Sequence, residues 1–359
     1  MVENVYKFRR ITQKIGSFPV LHLSLNFPPP TRIMISVFKR CVPSSLSSPC
    51  TLTLVSVIIL LINQPQSANS HLLSPDFRAM STNSLVTPQW LLQNLNKVRV
   101  IDATWMPADA YATEHIPGAA HYSFDYAYFK SEYIKFDLYP PEVFQKYIRL
   151  LGVNNNDQVV IYSRGAASGM MFASRAYWTF KVYGFTNVTL LNGGLDAWKA
   201  AGGSTNQETV KPQLGNVDIR SLNSEILANF EDIPFNHLAE KHADYIDARI
   251  PSQFTGQDPL SATYPGTKAK GSHVTGAINF PMADVIGPNG FLSQEEVDAK
   301  IAKLGLTAGN QVYVACNTGI QASVIFTALE RSGIKAKLYN GSMTELAYRA
   351  PELVNATGK

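Results

Sequence analysis

The sequence predicts two α/β domains in tandem, each a mainly parallel sheet covered by helices on both faces. Three observations carry this expectation. The chain has 359 residues, more than one core of ordinary size takes. Its body can be laid over itself in two halves, a search that comes before any motif reading. Within each half, short apolar runs bounded by Gly, Asn or Asp alternate with stretches of helical period, the pattern of a parallel sheet with crossover helices. A composition of 45% hydrophobic and 16% charged residues excludes a disordered chain and a polytopic membrane protein.

Residues 1–80 form an N-terminal extension. They hold eight Lys or Arg against Glu3 and Asp76, a balance of +6 out of a total of +4, which leaves the body at −2. A nearly neutral body offers no phosphate-tracking surface, so nucleic acid is not an expected partner. Thr51–Asn63 is apolar, shorter than the ~20 residues of a spanning helix, and follows Lys39 and Arg40. That layout fits a signal-peptide core read from Met34, while the basic stretch Tyr6–Lys14 fits an organellar transit peptide. In a third reading Met80-Ser81-Thr82 marks the start, and the extension is absent from the working protein.

The repeat begins near residue 83. Val100-Ile101-Asp102-Ala103 answers Tyr245-Ile246-Asp247-Ala248, and His115-Ile116-Pro117-Gly118-Ala119 answers His273-Val274-Thr275-Gly276-Ala277. Leu151-Gly152 answers Leu304-Gly305. The run Asp157–Ser163 answers Asn310–Cys316, and Leu191-Asn192-Gly193-Gly194 answers Tyr339-Asn340-Gly341-Ser342. Helices are expected over Pro141–Leu151, Gly169–Tyr183, Ser293–Leu304 and Thr318–Ser332. Gly, Ser, Thr, Asn, Gln and Pro accumulate over Gly202–Asn216, so the domains are set at 81–205 and 223–355 with a linker at 206–222.

Of three cysteines, Cys41, Cys50 and Cys316, only the last lies in the body, which rules out a disulfide framework or a Cys-based metal site there. Cys316 ends an apolar strand, Asn317-Thr318-Gly319-Ile320-Gln321 follows, and a helix starts near Ala322. A thiol at the mouth of such a loop faces inward N–H groups and the positive end of a helix dipole, which favours the nucleophilic thiolate. The bland alternative is a small buried hydrophobe at a strand end.

The chain resembles the tandem-rhodanese family of thiosulfate and 3-mercaptopyruvate sulfurtransferases from residue 83 to about 350. Cys316-Asn317-Thr318-Gly319-Ile320-Gln321-Ala322 matches the family's Cys-x-x-Gly-x-x-Ala. The resemblance implies a catalytic second domain and an inactive first one, where Ser163 takes the place of the cysteine. It implies Cys316, Thr318 and His115 as catalytic residues, with Asp109 as the nearest aspartate upstream of that histidine. The alternative for His115 is a structural role in a His-x-x-Gly-Ala turn, which His273 repeats. Asn317, Gly319, Ile320 and Gln321 are the loop residues expected at the substrate. The resemblance also implies a preference for 3-mercaptopyruvate over the dianion thiosulfate, since Asn317 and Thr318 are neutral where thiosulfate-preferring members of the family carry basic residues.

The pattern breaks after Asp247-Ala248-Arg249. Arg249 matches the Asp-x-Arg arginine, but Gln253 stands where the first substrate arginine belongs and Ala262 where the second would. Glutamine cannot reproduce a bidentate Arg–carboxylate contact. Lys268 and Lys270, before His273, offer cationic charge to substrate, with a solvated loop as the alternative. Arg175 is a further cation that closure of the domains could bring near, with a surface or interdomain salt bridge as the alternative.

The expected activity is transfer of sulfane sulfur from a small-molecule donor to a thiol such as thioredoxin or glutathione, or to cyanide, through a Cys316 persulfide, with no metal or organic cofactor. The rival is a divergent non-catalytic module for sulfur sensing or protein binding. A Cys-dependent phosphatase would need an arginine six residues past the cysteine, where Ala322 stands. A monomer or weak dimer is expected in cytosol or mitochondrion, with a secretory route through residues 51–63 as the alternative.

Overall fold

The computed structural model describes residues 84–358, and ahead of them the backbone of four strands only. Those strands, Arg9–Ile15, Phe18–Asn26, Thr31–Val37 and Val57–Asn63, form an antiparallel meander inside a separate unit, Met1–Ser74. Met80-Ser81-Thr82 lies outside the described residues, and the targeting stretches 6–14 and 51–63 are described only where these strands cover them. Among the described residues no helix is long and apolar enough to cross a membrane.

Two five-stranded parallel sheets of the same connectivity make up the body, as the repeat predicts. The first comprises β1 (Leu85–Val86), β2 (Arg99–Asp102), β3 (Ala120–His121), β4 (Val159–Tyr162) and β5 (Val188–Leu191), in the order β1-β5-β4-β2-β3. The second comprises β6 (Leu227–Ala228), β7 (Asp244–Asp247), β8 (Ile278–Asn279), β9 (Val312–Ala315) and β10 (Ala336–Tyr339), in the order β6-β10-β9-β7-β8. β4 and β9 are continuous apolar runs, Val-Val-Ile-Tyr and Val-Tyr-Val-Ala, buried at every position, as central strands covered on both faces must be.

The expected helices form as α1 (Pro141–Leu150), α2 (Met170–Val182), α5 (Gln294–Ile301, running on as a 3-10 turn to Leu304) and α6 (Ile320–Arg331). Among the other helices, α3 (Gly194–Ala200), α4 (Pro251–Thr255) and α7 (Ser342–Arg349) bear on the site. Ser293 and Glu296 start α5 with a capping box. α2 and α6 are apolar nearly all round and pack on each other at the seam between the repeats. One continuous buried cluster therefore runs through both repeats, from Ile101 and Trp178 to Ile246 and Phe326. Each such side chain fully buried contributes roughly 1.5–3 kcal/mol, so the repeats are held as one body.

The segment 206–222 is not a free tether. Asn206 exchanges backbone hydrogen bonds with His115, Gly215 donates to Arg149 O at 2.8 Å, and Val217 and Ile219 are buried against the first repeat. Its polar composition hides the strapping, because backbone groups make most of it.

Candidate active site

The site is built where β9 ends. Cys316 follows the central strand directly, and Gly319, with φ of +82°, closes the loop and starts α6. Glycine takes that conformation without a steric penalty. The Gly319 N–H points at Cys316 Sγ across 3.2 Å. The start of α7 pins the loop from behind: Cys316 N–H donates to Ser342 Oγ (3.2 Å), Met343 N–H to Cys316 O (2.9 Å), and Thr344 Oγ1 to Asn317 O (2.7 Å).

Cys316 is 2% exposed. Burial pushes its thiol pKa up, against the N–H groups of Ala322, Thr318 and Gly319, which pull it down. The N–H groups of the cradle act in the direction expected, toward the thiolate, and desolvation of the buried sulfur opposes them.

Asn317 links the loop to its surroundings. Its Nδ2 donates to Gln253 Oε1 (3.0 Å) on α4, and Tyr264 donates through its hydroxyl to Asn317 Oδ1 (2.7 Å). Gln253 thus stands beside the cysteine loop, as expected for the substrate-arginine position, but as a neutral hydrogen-bond partner. Thr318 is half-buried and its hydroxyl makes no hydrogen bond among the described residues. Ile320 is buried and Gln321 half-buried in the first turn of α6.

Arg249 is corrected from a substrate ligand to a structural charge. It is 1% exposed, its Nε and Nη2 grip both oxygens of Asp247 at 2.6–3.0 Å, and Nη2 also reaches Ser272 O at 2.7 Å. Desolvation of the two charges is offset by fork-to-fork geometry. In the first repeat Thr104 replaces that arginine, and Arg164 reaches across to Asp102 at 3.4 Å instead. Lys268 and Lys270 are exposed on the loop above Tyr264; that loop is tied to α7, with Thr267 Oγ1 donating to Ala347 O at 2.6 Å. None of the described contacts of these lysines reaches the cysteine loop.

His115 is 1% exposed inside the first repeat, with Nδ1 2.8 Å from Tyr111 O and its ring stacked on Tyr111 at 4.1 Å. His273 repeats the arrangement on Phe254, at 2.8 Å and 3.8 Å. The shared arrangement is the His-x-x-Gly-Ala turn of both repeats; Nε2 of His115 is buried without a partner, and no described contact of His115 reaches the cysteine loop. Asp109 is exposed and Nδ1 of His115 is engaged by Tyr111 O, so no His–Asp pair is among the described contacts.

The counterpart loop is built differently: Ala173 N–H donates to Ser163 Oγ at 3.2 Å, but the Gly169 N–H goes to Gly165 O instead. Ser163 ends β4, but five residues separate it from the N-cap Gly169, against two between Cys316 and Gly319. Ala167 and Ser168 take positive φ there, and the Ser163 hydroxyl is spent on Gly169 O at 2.7 Å. Sequence reasoning missed Tyr264, Thr344 and Ser342. Ser342 carried a signal: it adopts φ of +52° where the first repeat has Gly194 at +59°. A serine in that region costs on the order of 1–3 kcal/mol, which its cap on the Cys316 N–H offsets. Ser342→Ala keeps the strain and orphans that buried N–H, so the urea midpoint is expected to fall by an amount equivalent to about 1–3 kcal/mol.

Residues 87–201 and 236–348 each match the rhodanese-like domain. The chain belongs to the rhodanese-like domain family. "Putative thiosulfate sulfurtransferase mpst-4" of Caenorhabditis elegans is 34% identical over 301 residues, covering 77% of this chain and 88% of that one. The 3-mercaptopyruvate sulfurtransferase of Escherichia coli K12 is 27% identical over 283 residues, covering 76% and 97%. The solved rhodanese fold of SseA from Escherichia coli superposes with a TM-score of 0.64 at 25% identity, over 73% of this chain and 99% of that one. The two rhodanese-like domains are the two sheets described above.

Proposed function

We propose that this sulfurtransferase carries sulfane sulfur on Cys316, taking it from a donor such as 3-mercaptopyruvate and passing it to a thiol such as thioredoxin or glutathione, or to cyanide. The observation that carries the reading is the Gly319 N–H aimed at Cys316 Sγ from the first turn of α6. In the first half-reaction the Cys316 thiolate attacks the donor sulfur, the carbon–sulfur bond breaks, and the pyruvate enolate leaves and takes a proton. The Cys316 persulfide that results is an anion at a helix N-terminus, which the loop N–H groups solvate. In the second, an acceptor thiolate attacks the outer sulfur, leaves as its own persulfide, and returns Cys316 as thiolate. Thr318 supports the proton delivery, since its hydroxyl lies two residues from the thiol and has no competing partner among the described residues. A chain that works through one free thiol suits a reducing compartment, cytosol or mitochondrion.

A neutral rim of Asn317, Gln253 and Tyr264 favours the carboxylate monoanion 3-mercaptopyruvate over the dianion thiosulfate. Gln253→Arg adds a charge-assisted contact of about 1.5–3 kcal/mol for a carboxylate. Steady-state assays are expected to show KM for 3-mercaptopyruvate falling at least roughly tenfold, with kcat changed far less. An unmoved KM would mean that Gln253 is not at the substrate.

A further inference from the structure

Arg175 sits on α2 of the repeat that has no thiol, and it is 0% exposed. Its Nη2 donates to Phe136 O (2.8 Å) and Asn340 Oδ1 (2.7 Å), and its guanidinium lies over the rings of Trp178 (4.6 Å) and Tyr128 (4.9 Å). Its Nε and Nη1 are buried without a hydrogen-bond partner. The interdomain salt bridge expected of it is not made: none of the ion pairs among the described residues includes Arg175. Two donated hydrogen bonds and two aromatic faces offset only part of the several kcal/mol that burying a charge costs.

The unpaired Nη1 is lodged against the cysteine loop. A Cβ on Gly319 would stand 2.7 Å from it and 3.4 Å from Asn340 Oδ1, so glycine is required there by the arginine as well as by φ. The same Gly319 supplies the N–H aimed at Cys316 Sγ. One residue therefore separates a buried cation lacking an anion from a buried thiol that must become one.

Among the described residues no other group near the thiol is free to supply that counter-charge. On β7, Asp247 is matched by Arg249, and Tyr245 is held neutral by burial. Tyr264, on the loop above, is likewise held neutral by burial. On α6 the position equivalent to Arg175, six residues past the N-cap glycine, is buried Ile325. The cation thus belongs to one repeat only, the one packed on the loop that carries the cysteine.

We propose that Arg175 is a positioning residue of the sulfur site: from the thiol-free repeat it provides, through Gly319, the counter-charge for the anion that Cys316 carries in each turnover, and it holds the Gly319 N–H on that anion. The proposal rests on Cys316 as the sulfur carrier and gives the first repeat a direct part in the chemistry.

The test is the pH dependence of iodoacetamide alkylation of Cys316 in the full chain, followed by mass of its peptide, for the wild type, Arg175→Met and Arg175→Lys. The alkylation midpoint is expected to rise by about one pH unit or more in Arg175→Met, a tenfold loss of thiolate at fixed pH, and to return toward the wild type in Arg175→Lys. If Arg175→Met does not fold, Arg175→Gln keeps a donor for Phe136 O without the charge and is expected to give the same rise. A midpoint unmoved in a folded charge-free variant, or one raised equally in the Lys variant, overturns the proposal and leaves Arg175 as packing. The readout needs no sulfur donor, so failure of the persulfide in the wild type would be seen separately.

Discussion

Cys316→Ser is expected to reduce sulfur transfer to below about one thousandth of the wild-type rate, because a serine hydroxyl neither ionises near neutral pH nor carries sulfane sulfur. The assay is turnover of 3-mercaptopyruvate, and of thiosulfate, with a thiol acceptor. The first repeat contains the control: Ser163 already stands at the equivalent strand end, its hydroxyl bonded to Gly169 O. Ser163→Cys is expected to add no activity in the Cys316→Ser background, since the longer loop at 164–168 offers no N–H cradle of the Gly319 kind. Turnover that survives the loss of Cys316 would favour a different chemistry, and no Cys316-dependent turnover with any donor would favour a binding module.

Arg249→Met is expected to destabilise the chain by about 3–5 kcal/mol, because it leaves the Asp247 carboxylate, 2% exposed, without its partner. The equivalent cut in the first repeat, Arg164→Met, should cost less: that pair spans 3.4 Å, and Arg164 keeps 14% of its side chain in water. Chemical denaturation measures both. KM of the folded Arg249→Met protein should move by less than roughly threefold, whereas loss of a substrate-clamping arginine would raise KM with the stability unchanged.

The architecture was readable because its signals are local and doubled. Strands β4 and β9 declare themselves by unbroken apolar runs, α2 and α6 by length and all-round apolarity, and each half supports the reading of the other. Cys316 was readable for the same reason, as a difference between halves that otherwise match. What escaped depends on which way a side chain turns. Asp247-Ala248-Arg249 is visible in the sequence, but whether the arginine faces a ligand or folds back on the carboxylate is decided by packing around Ser272. His115 looked catalytic by position alone; its stacking on Tyr111, four residues back, shows in no periodicity. Tyr264 meets Asn317 and Arg175 meets Gly319 from 53 and 144 residues away along the chain, distances over which sequence patterning carries no information about contact.

The most direct test of the account is the mass of the Cys316 peptide after the full chain has been treated with a sulfane donor and quenched without reductant. The account predicts a gain of about 32 Da, one sulfur atom, on Cys316, removed by a thiol acceptor and absent from Cys41 and Cys50. A Cys316 peptide that stays unmodified with 3-mercaptopyruvate, thiosulfate and polysulfide alike, in protein that remains folded, would contradict it.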